Sequence, residues 1–424
     1  MSRYAEARTF CSMLTEAGFP TMMAGGCVRD RLFGKEPKDF DLATTGLPED
    51  AMRFFKNKGY RVIPTGLKHG TISVVTKLQT VEVTTLRTDL DCDGRHADVA
   101  FSTDFREDAL RRDFTINALF EDYDGQVHDH VGGLADLENR TLRFVGQAEE
   151  RIREDYLRIL RYFRFLGRYG WSPLPDQLEA ITANLDGLTK LSIERVQSEM
   201  NQILASPHVG QSLPMLTNCG LIAILFPFLN TETFTPLIKL LQDMRPASLA
   251  PAHSDHPIWP GLRWFSFLYW GADGMSEDAM RQQIDRMRFT RKENKLILSL
   301  THFFNLPEDH TERLLLTLQW HEQALMPAGF LEFYLRVLAL SLPFGEPVAN
   351  LTQLMSGLTD LPPFQTPHED LMALPPANRG ESLKIAKIYW YLGLCRDSND
   401  VSKILAKAET FKNQLQSGRP KPVY

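Results

Sequence analysis

Gly25-Gly26-Cys27-Val28-Arg29-Asp30, followed closely by Lys38-Asp39-Phe40-Asp41, is the stretch on which the reading of this chain turns. Residues 20–28 and 39–44 read as β-strands, and a short helix is expected to open at the glycine pair. Gly25 and Gly26 let the backbone approach an anion closely, and amides at a helix start point their partial positive charge at it. Arg29 adds a cation one helical step on, so the segment reads as a triphosphate cradle, though without the lysine-serine pair of a Walker loop. Side chains alternate along a strand, so Asp39 and Asp41 project together while Phe40 turns to the core. Two neighbouring carboxylates repel unless a cation neutralises them, and Mg²⁺ suits a few carboxylates completed by phosphate oxygens.

Outward from this stretch, residues 71–76, 81–86 and 141–145 also read as strands, with turn signals at Asp93-Gly94, Asp124-Gly125 and Gly132-Gly133. Glu82 is either a third carboxylate for the metal or a surface residue of an alternating strand. Arg111-Arg112-Asp113-Phe114-Thr115-Ile116-Asn117-Ala118-Leu119 read as a helix places Asp113 and Asn117 one turn apart. Arg112 can then hold phosphate, and Asp113 with Asn117 can hydrogen-bond a ribose hydroxyl.

From Gln147 the pattern changes to helix after helix, with helical periodicity at 152–166, 312–319, 329–342 and 382–395 and proline-rich breaks at 361–367 and 374–376. Over 151–164 one continuous amphipathic helix is expected. Ile152, Tyr156, Ile159, Leu160 and Phe163 share its apolar face, and Glu154, Asp155, Arg158 and Arg161 share the other. The fold class is therefore α+β, a mixed-sheet head followed by a long all-α part.

A chain of 424 residues with 43% apolar and 24% charged residues reads as an ordinary globular protein of several domains. Its longest apolar runs fall short of the roughly 20 residues of a membrane span, and no secretory signal is visible near Met1. Five cysteines without regular spacing do not make a disulfide framework. A cytoplasmic protein is expected. The net charge of −6 decides nothing about nucleic acid, because local clustering of Lys and Arg is what matters.

The Gly-Gly-Cys-Val-Arg-Asp cradle, the Asp-x-Asp strand and Arg-Arg-Asp-Phe-Thr-Ile-Asn-Ala resemble, in order and spacing, the motifs of class II tRNA nucleotidyltransferases and bacterial poly(A) polymerases, of the DNA polymerase β-like superfamily. The resemblance covers about residues 20–200 and implies a catalytic head at 1–145, a neck at 146–205, a body at 206–310 and a tRNA-binding tail at 311–424. It implies Asp39 and Asp41 as catalytic Mg²⁺ ligands, with Gly25, Gly26, Arg29, Arg112, Asp113 and Asn117 binding the nucleotide. Glu154-Asp155-Tyr156-Leu157-Arg158 is similar to the family's Glu-Asp-x-x-Arg motif, in which aspartate and arginine read the base, with Arg161 helping to hold them or the nucleotide. A carboxylate accepts from the exocyclic amino group of CTP or ATP, whereas UTP and GTP present a carbonyl there. Residues 87–98 resemble the flexible loop implied in switching from C to A addition, and Ser192-Ile193-Glu194-Arg195-Val196 with Glu199 resembles a motif that braces the templating helix.

The partners so implied are tRNA, met at its 3′ end and acceptor/T-arm side, with CTP and ATP as substrates and no membrane. An A-adding-only enzyme and a poly(A) polymerase are the nearest alternatives. Against the latter stand Thr65-Gly66-Leu67-Lys68-His69-Gly70-Thr71 and the lack of a strongly basic C-terminal extension. A glycosyltransferase would share only Asp-x-Asp, and a catalytically dead relative would have lost Asp39 or Asp41. Arg286, Arg288, Arg291, Lys292 and Lys295 around Phe289, and Lys403, Lys407, Lys412, Arg419 and Lys421, are candidate phosphate contacts or solvated surface. His253-Ser254-Asp255-His256 is a weak metal-site signal flanked by prolines.

Overall fold

Seven strands form the sheet that carries the head: β1 (Thr21–Ala24), β2 (Phe40–Thr44), β3 (Arg61–Gly66), β4 (Thr71–Val75), β5 (Thr80–Thr85), β8 (Leu119–Glu121) and β9 (Val127–Asp129). In this computed structural model their order is β3-β4-β5-β2-β1-β8-β9, with β2 and β5 parallel and every other pair antiparallel. A separate two-stranded ribbon, β6 (Arg87–Cys92) with β7 (Ala97–Phe101), occupies the segment read as a loop. The structure describes residues 2–92, 97–230, 263–264, 267–268, 272, 275–305, 368–376, 378–379, 382–383, 386, 398–408 and 410.

Helix α1 (Arg3–Glu16) starts at Ser2, whose hydroxyl accepts the Ala5 N–H at 3.1 Å, and α3 (Pro48–Asn57) starts on a proline that has no N–H to leave unsatisfied. Their apolar faces meet in an edge-on cluster, with the Phe10 ring 5.1 Å from both Phe55 and Tyr60. Between β1 and β2 runs α2 (Gly26–Leu32). The head also contains α4 (Phe105–Leu110), capped by Asp104, and α5 (Gly133–Glu138).

Helices α6 (Ala148–Glu154), α7 (Leu157–Tyr169), α8 (Pro175–Thr182), α9 (Ile193–Leu204), α10 (Val209–Asn218) and α11 (Leu221–Leu225) follow. Ile159, Leu160, Tyr162, Phe163, Phe165 and Leu166 of α7 are buried, as the amphipathic pattern requires. Phe144 stacks on Tyr162 at 5.5 Å and Phe114 meets Phe165 at 5.4 Å, so the head and these helices share one core. Residues 1–227 form one compact unit, so the expected boundary at 205/206 lies inside it; residues 228–424 form the other.

Three sequence expectations change. Residues 141–145 are not a strand, and only an isolated bridge joins Phe114 to Phe144. Residues 111–119 are not one helix but a turn, an extended Phe114 and a 3₁₀ turn at Thr115–Asn117 leading into β8. The expected helix over 151–164 breaks at Asp155, whose backbone is extended (φ −152°, ψ 102°), so α6 and α7 are separate.

In the second unit, helices Glu277–Met287 and Arg291–Asn305 are joined at Arg288, which takes the left-handed conformation at φ 53°. Arg286, Arg288, Arg291, Lys292 and Lys295 face solvent while Phe289 is buried 5.2 Å from Trp264. Lys403 and Lys407 lie at the helix Ser398–Ala406. The helices expected at 312–319 and 329–342, the His253–His256 signal, Lys412, Arg419 and Lys421, and most of 382–395, lie outside the described residues. Among the described residues no helix is long and apolar enough to cross a membrane.

Candidate active site

The cradle begins where β1 ends. Gly25 sits at φ 73°, ψ −120°, a conformation that only glycine adopts without strain, and its N–H donates to the Leu119 carbonyl at 2.9 Å. A methyl group at Gly25 would lie 2.7 Å from Arg112 Nη1 and 3.3 Å from the Asn117 carbonyl. Arg112 is therefore packed directly against the turn. Its Nε and Nη2 donate to Asp108 Oδ2 at 3.0 and 2.9 Å, and its Nη1 donates to the Asn117 carbonyl at 3.1 Å.

Arg29, expected as a fixed cation of the cradle, is buried and committed. Its Nε donates to Asp30 Oδ1 at 2.9 Å, Nη1 donates to Asn117 Oδ1, and the guanidinium lies 5.1 Å from the Phe165 ring. Of the two arginines named for phosphate, Arg112 keeps the more accessible side chain, at 21% against 4%.

Asp39 and Asp41 flank the buried Phe40 and both reach solvent, as alternation along the strand demands, although β2 itself begins at Phe40. The parallel pairing of β2 with β5 sets Asp41 in register with Glu82. That alignment was invisible in sequence, where Glu82 remained ambiguous. Asp41 is exposed, yet the protein packed around it pushes its carboxyl up to about 6; Glu82 and Asp39 add repulsion, and Arg112 opposes them. An all-oxygen donor set with mutual repulsion fits a hard divalent cation, which would relieve the cost of keeping these groups ionised together. Among the described residues no group of three His, Cys, Asp or Glu side chains is gathered closely enough to hold a metal by itself.

Asp113 and Asn117 meet despite the missing helix, because the 3₁₀ turn brings Asn117 Nδ2 to 3.0 Å from Asp113 Oδ1. The same oxygen accepts the Phe114 N–H at 2.9 Å, and Oδ2 accepts Nε and Nη2 of Arg161 at 2.8 and 2.5 Å. Burial opposes ionisation of Asp113, but the Arg161 charge and these donors outweigh it and hold its carboxyl below the usual range. Arg161 was expected to help hold Asp155 and Arg158 or the bound nucleotide; its direct partner is Asp113, with Glu199 3.8 Å away.

The pair expected to read a base stands at the helix break. Asp155 Oδ1 accepts the Leu157 N–H at 3.1 Å and Oδ2 accepts Arg195 Nη2 at 2.7 Å. Arg158 donates to the Arg151 and Arg111 carbonyls at 2.8 and 3.2 Å and to Glu154 Oε2 at 2.6 Å. Each carboxylate oxygen retains a second lone pair and the guanidinium retains N–H groups, so both side chains are fixed without being exhausted.

Asp108 and Asp30, to which sequence reasoning gave no role, complete the frame together with Glu199. Asp108 is 1% exposed and neutralises both Arg111 and Arg112. Asp30 accepts Arg168 Nη2 at 2.7 Å and the Tyr169 hydroxyl at 3.3 Å, tying α2 to α7. Glu199 of α9 lies between Arg161 and Arg164, consistent with the bracing role expected of its segment. Burial and the charge of Arg161 push Arg164 down to about 10. The motif itself contained Asp30; its partner 138 residues away carried no local signal.

Residues 21–143 match the family described as the Poly A polymerase head domain, and 174–233 match the one described as a probable RNA and SrmB-binding site of polymerase A. The chain is 49% identical over 207 residues to the mitochondrial CCA tRNA nucleotidyltransferase 1 of Danio rerio, covering 48% of each protein. It is 40% identical over 224 residues to the CCA-adding enzyme of Geobacillus stearothermophilus, covering 52% of this chain and 54% of that one. The matches thus span about half the length of these curated relatives. The structure of the Bacillus stearothermophilus CCA-adding enzyme in complex with CTP superposes with a TM-score of 0.65 at 28% identity, over 99% of this chain and 94% of that one. The Thermotoga maritima CCA-adding enzyme complexed with tRNA shares the fold at a TM-score of 0.67 and 19% identity, over 95% of each chain.

Proposed function

We propose that this chain, which belongs to the family of class II tRNA nucleotidyltransferases and bacterial poly(A) polymerases, adds C, C and A to the 3′ end of tRNA from CTP and ATP, with release of pyrophosphate. The observation that carries the reading is the hydrogen-bonded frame that joins the Gly25 turn, backed by Arg112, to Asn117, Asp113 and Arg161, with Arg158 tied to Arg111 and with Asp41 of the Asp39/Asp41 pair close enough to feel the Arg112 charge.

In this reading the tRNA 3′ hydroxyl attacks the α-phosphate in line with the leaving pyrophosphate. Enzymes of this family generally use a divalent metal; here Mg²⁺ on Asp39 and Asp41 would lower the hydroxyl pKa and neutralise charge on the phosphates. Gly25, Gly26 and Arg112 receive the triphosphate. Arg29 acts behind them, holding Asn117 so that Asn117 and Asp113 face the ribose. Asp155 accepts from the amino group of cytosine or adenine, and Arg158 donates to a ring nitrogen of either base and, in cytosine, to the carbonyl as well. UTP and GTP would present a carbonyl to the Asp155 carboxylate, two acceptors facing each other, and be rejected.

The test is an incorporation assay with purified protein, Mg²⁺ and tRNA transcripts ending before CCA, after C and after CC, resolved at single-nucleotide length. Stepwise growth that stops at CCA is the expected result. Addition only to the CC-ending transcript would make this an A-adding enzyme, and long A tails would make it a poly(A) polymerase.

A further inference from the structure

Asp155 takes the extended backbone of a helix N-cap, its Oδ1 accepting the Leu157 N–H at 3.1 Å. The 3₁₀ turn Leu185–Lys190 packs against the residue that follows Asp155.

Gly187 of that turn is buried, and the Tyr156 ring lies directly against it. A Cβ built on Gly187 would fall 1.9 Å from ring atoms Cδ1 and Cε1 and 2.3 Å from Cζ. No real Cβ sits so close, so the ring occupies the volume that any other residue at 187 would fill. On the same turn the Lys190 ammonium lies 5.3 Å from the ring centroid, a cation–π distance. The turn is tied independently to α6, because Arg153 Nε donates to Asn184 Oδ1 at 3.0 Å and Asn184 Nδ2 donates to the Ala180 carbonyl at 2.8 Å. Asp155 is the residue immediately before this anchored ring, and Arg195 and the Leu157 N–H complete its fixing. The Tyr156 backbone is already helical (φ −61°, ψ −16°), so the change of direction falls on Asp155 alone.

We propose that Tyr156, seated on Gly187 and covered by Lys190, is the positioning residue that sets the carboxylate of Asp155 for base selection. The inference rests on the base-reading role of Asp155 given above. Neither Tyr156 nor Gly187 touches the nucleotide in this account; both act through Asp155. A shift of the ring by the width of a methyl group displaces the Asp155 backbone, and displacement near 1 Å costs large factors where geometry selects the substrate.

The experiment measures kcat and KM for CTP, ATP and UTP on tRNA transcripts, with Gly187→Ala, Tyr156→Ala, Tyr156→Phe, Gly187→Ala/Tyr156→Ala and Asp155→Ala. Thermal melting and tRNA affinity identify variants that fail only through folding. Gly187→Ala and Tyr156→Ala should each lower the CTP-over-UTP preference by about tenfold, mainly through KM. Tyr156→Phe keeps the ring on its seat and should keep the preference. The double variant should be no worse than Tyr156→Ala, because the added methyl then enters the space the ring vacated.

Additive losses in the double variant would overturn the proposal, as would equal damage from Tyr156→Phe and Tyr156→Ala. If Asp155→Ala relaxes selectivity but Gly187→Ala and Tyr156→Ala do not, the anchor is wrong and base reading stands. If Asp155→Ala leaves UTP rejection intact, base reading itself fails. Should Gly187→Ala not fold, the two Tyr156 variants carry the same decision.

Discussion

Replacing Gly25 with alanine tests the cradle at its most constrained point. The φ of 73° and ψ of −120° lie where an L-residue is strained, at a cost of about 1–3 kcal/mol. The new methyl would stand 2.7 Å from Arg112 Nη1, so the guanidinium must swing away and lose its 3.1 Å bond to the Asn117 carbonyl. Breaking a hydrogen bond from a charged group costs about 1.5–3 kcal/mol. The Asn117 carbonyl at 3.3 Å is backbone and cannot retreat as easily. Together these give roughly 3–5 kcal/mol, or a fall in Tm of roughly 10 °C for a unit of this size.

Gly34 is the internal control. It too has positive φ, 71°, but a methyl there would meet nothing within 4 Å. Gly34→Ala should therefore cost only the backbone part, about 1–2 kcal/mol. Urea and thermal unfolding of both variants, with CTP incorporation measured alongside, separate strain from contact. Gly25→Ala should lose both stability and nucleotide addition, and Gly34→Ala should keep addition. If the two variants lose the same stability and both keep activity, Arg112 does not depend on the bare backbone at Gly25 and the cradle has been misread.

Asp39→Ala and Asp41→Ala should each abolish nucleotide addition while leaving tRNA affinity unchanged in a filter-binding assay, and each should erase Mg²⁺-dependent tightening of CTP binding; retained addition in either would remove that residue from the metal site. Arg158→Ala should admit UTP and GTP at the expense of CTP and ATP, and unchanged rejection would count against base reading. Asp113 sits below the usual carboxylate range because, against the cost of burial, Arg161 holds it ionised. Its contribution is therefore present above the unfolded value of about 4 and drains away as pH falls through it towards the folded one. The stability gap between the wild-type protein and Asp113→Asn should shrink between about pH 6 and about pH 3 in urea titrations; a gap independent of pH would contradict the ion pair.

Local chemistry made much of the site legible. The glycine turn, the strand alternation of Asp39 and Asp41 and the apolar stripe of α7 each depend on residues a few positions apart, and all three stand in the structure. What failed was set by distant partners. The helix expected through Asp155 breaks where its carboxylate caps the Leu157 N–H and pairs with Arg195, and where Tyr156 packs on Gly187; local periodicity registers neither distant partner. The strand expected at 141–145 reflects β-prone residues whose burial comes from Tyr162 and Gln177 rather than from a sheet neighbour. Asp113 and Asn117 still meet because a 3₁₀ turn, like an α-turn, brings nearby residues together. The partners of Arg161 and Arg168 lie 48 and 138 residues away, a pairing only the fold can make.

The ties from α7 into the head also decide what could be transplanted. Cut free after residue 145, the head would carry Asp113 and Asp30 without Arg161 and Arg168, and would leave Phe114 and Phe144 bare where Phe165 and Tyr162 had covered them. Such a fragment joins acids that have each lost an arginine partner to an uncovered aromatic patch, and the bare patch makes an excised piece stick to itself. A graft of the nucleotide pocket onto another scaffold would therefore have to take residues 1–227 whole. The portable cassette here is larger than its motifs.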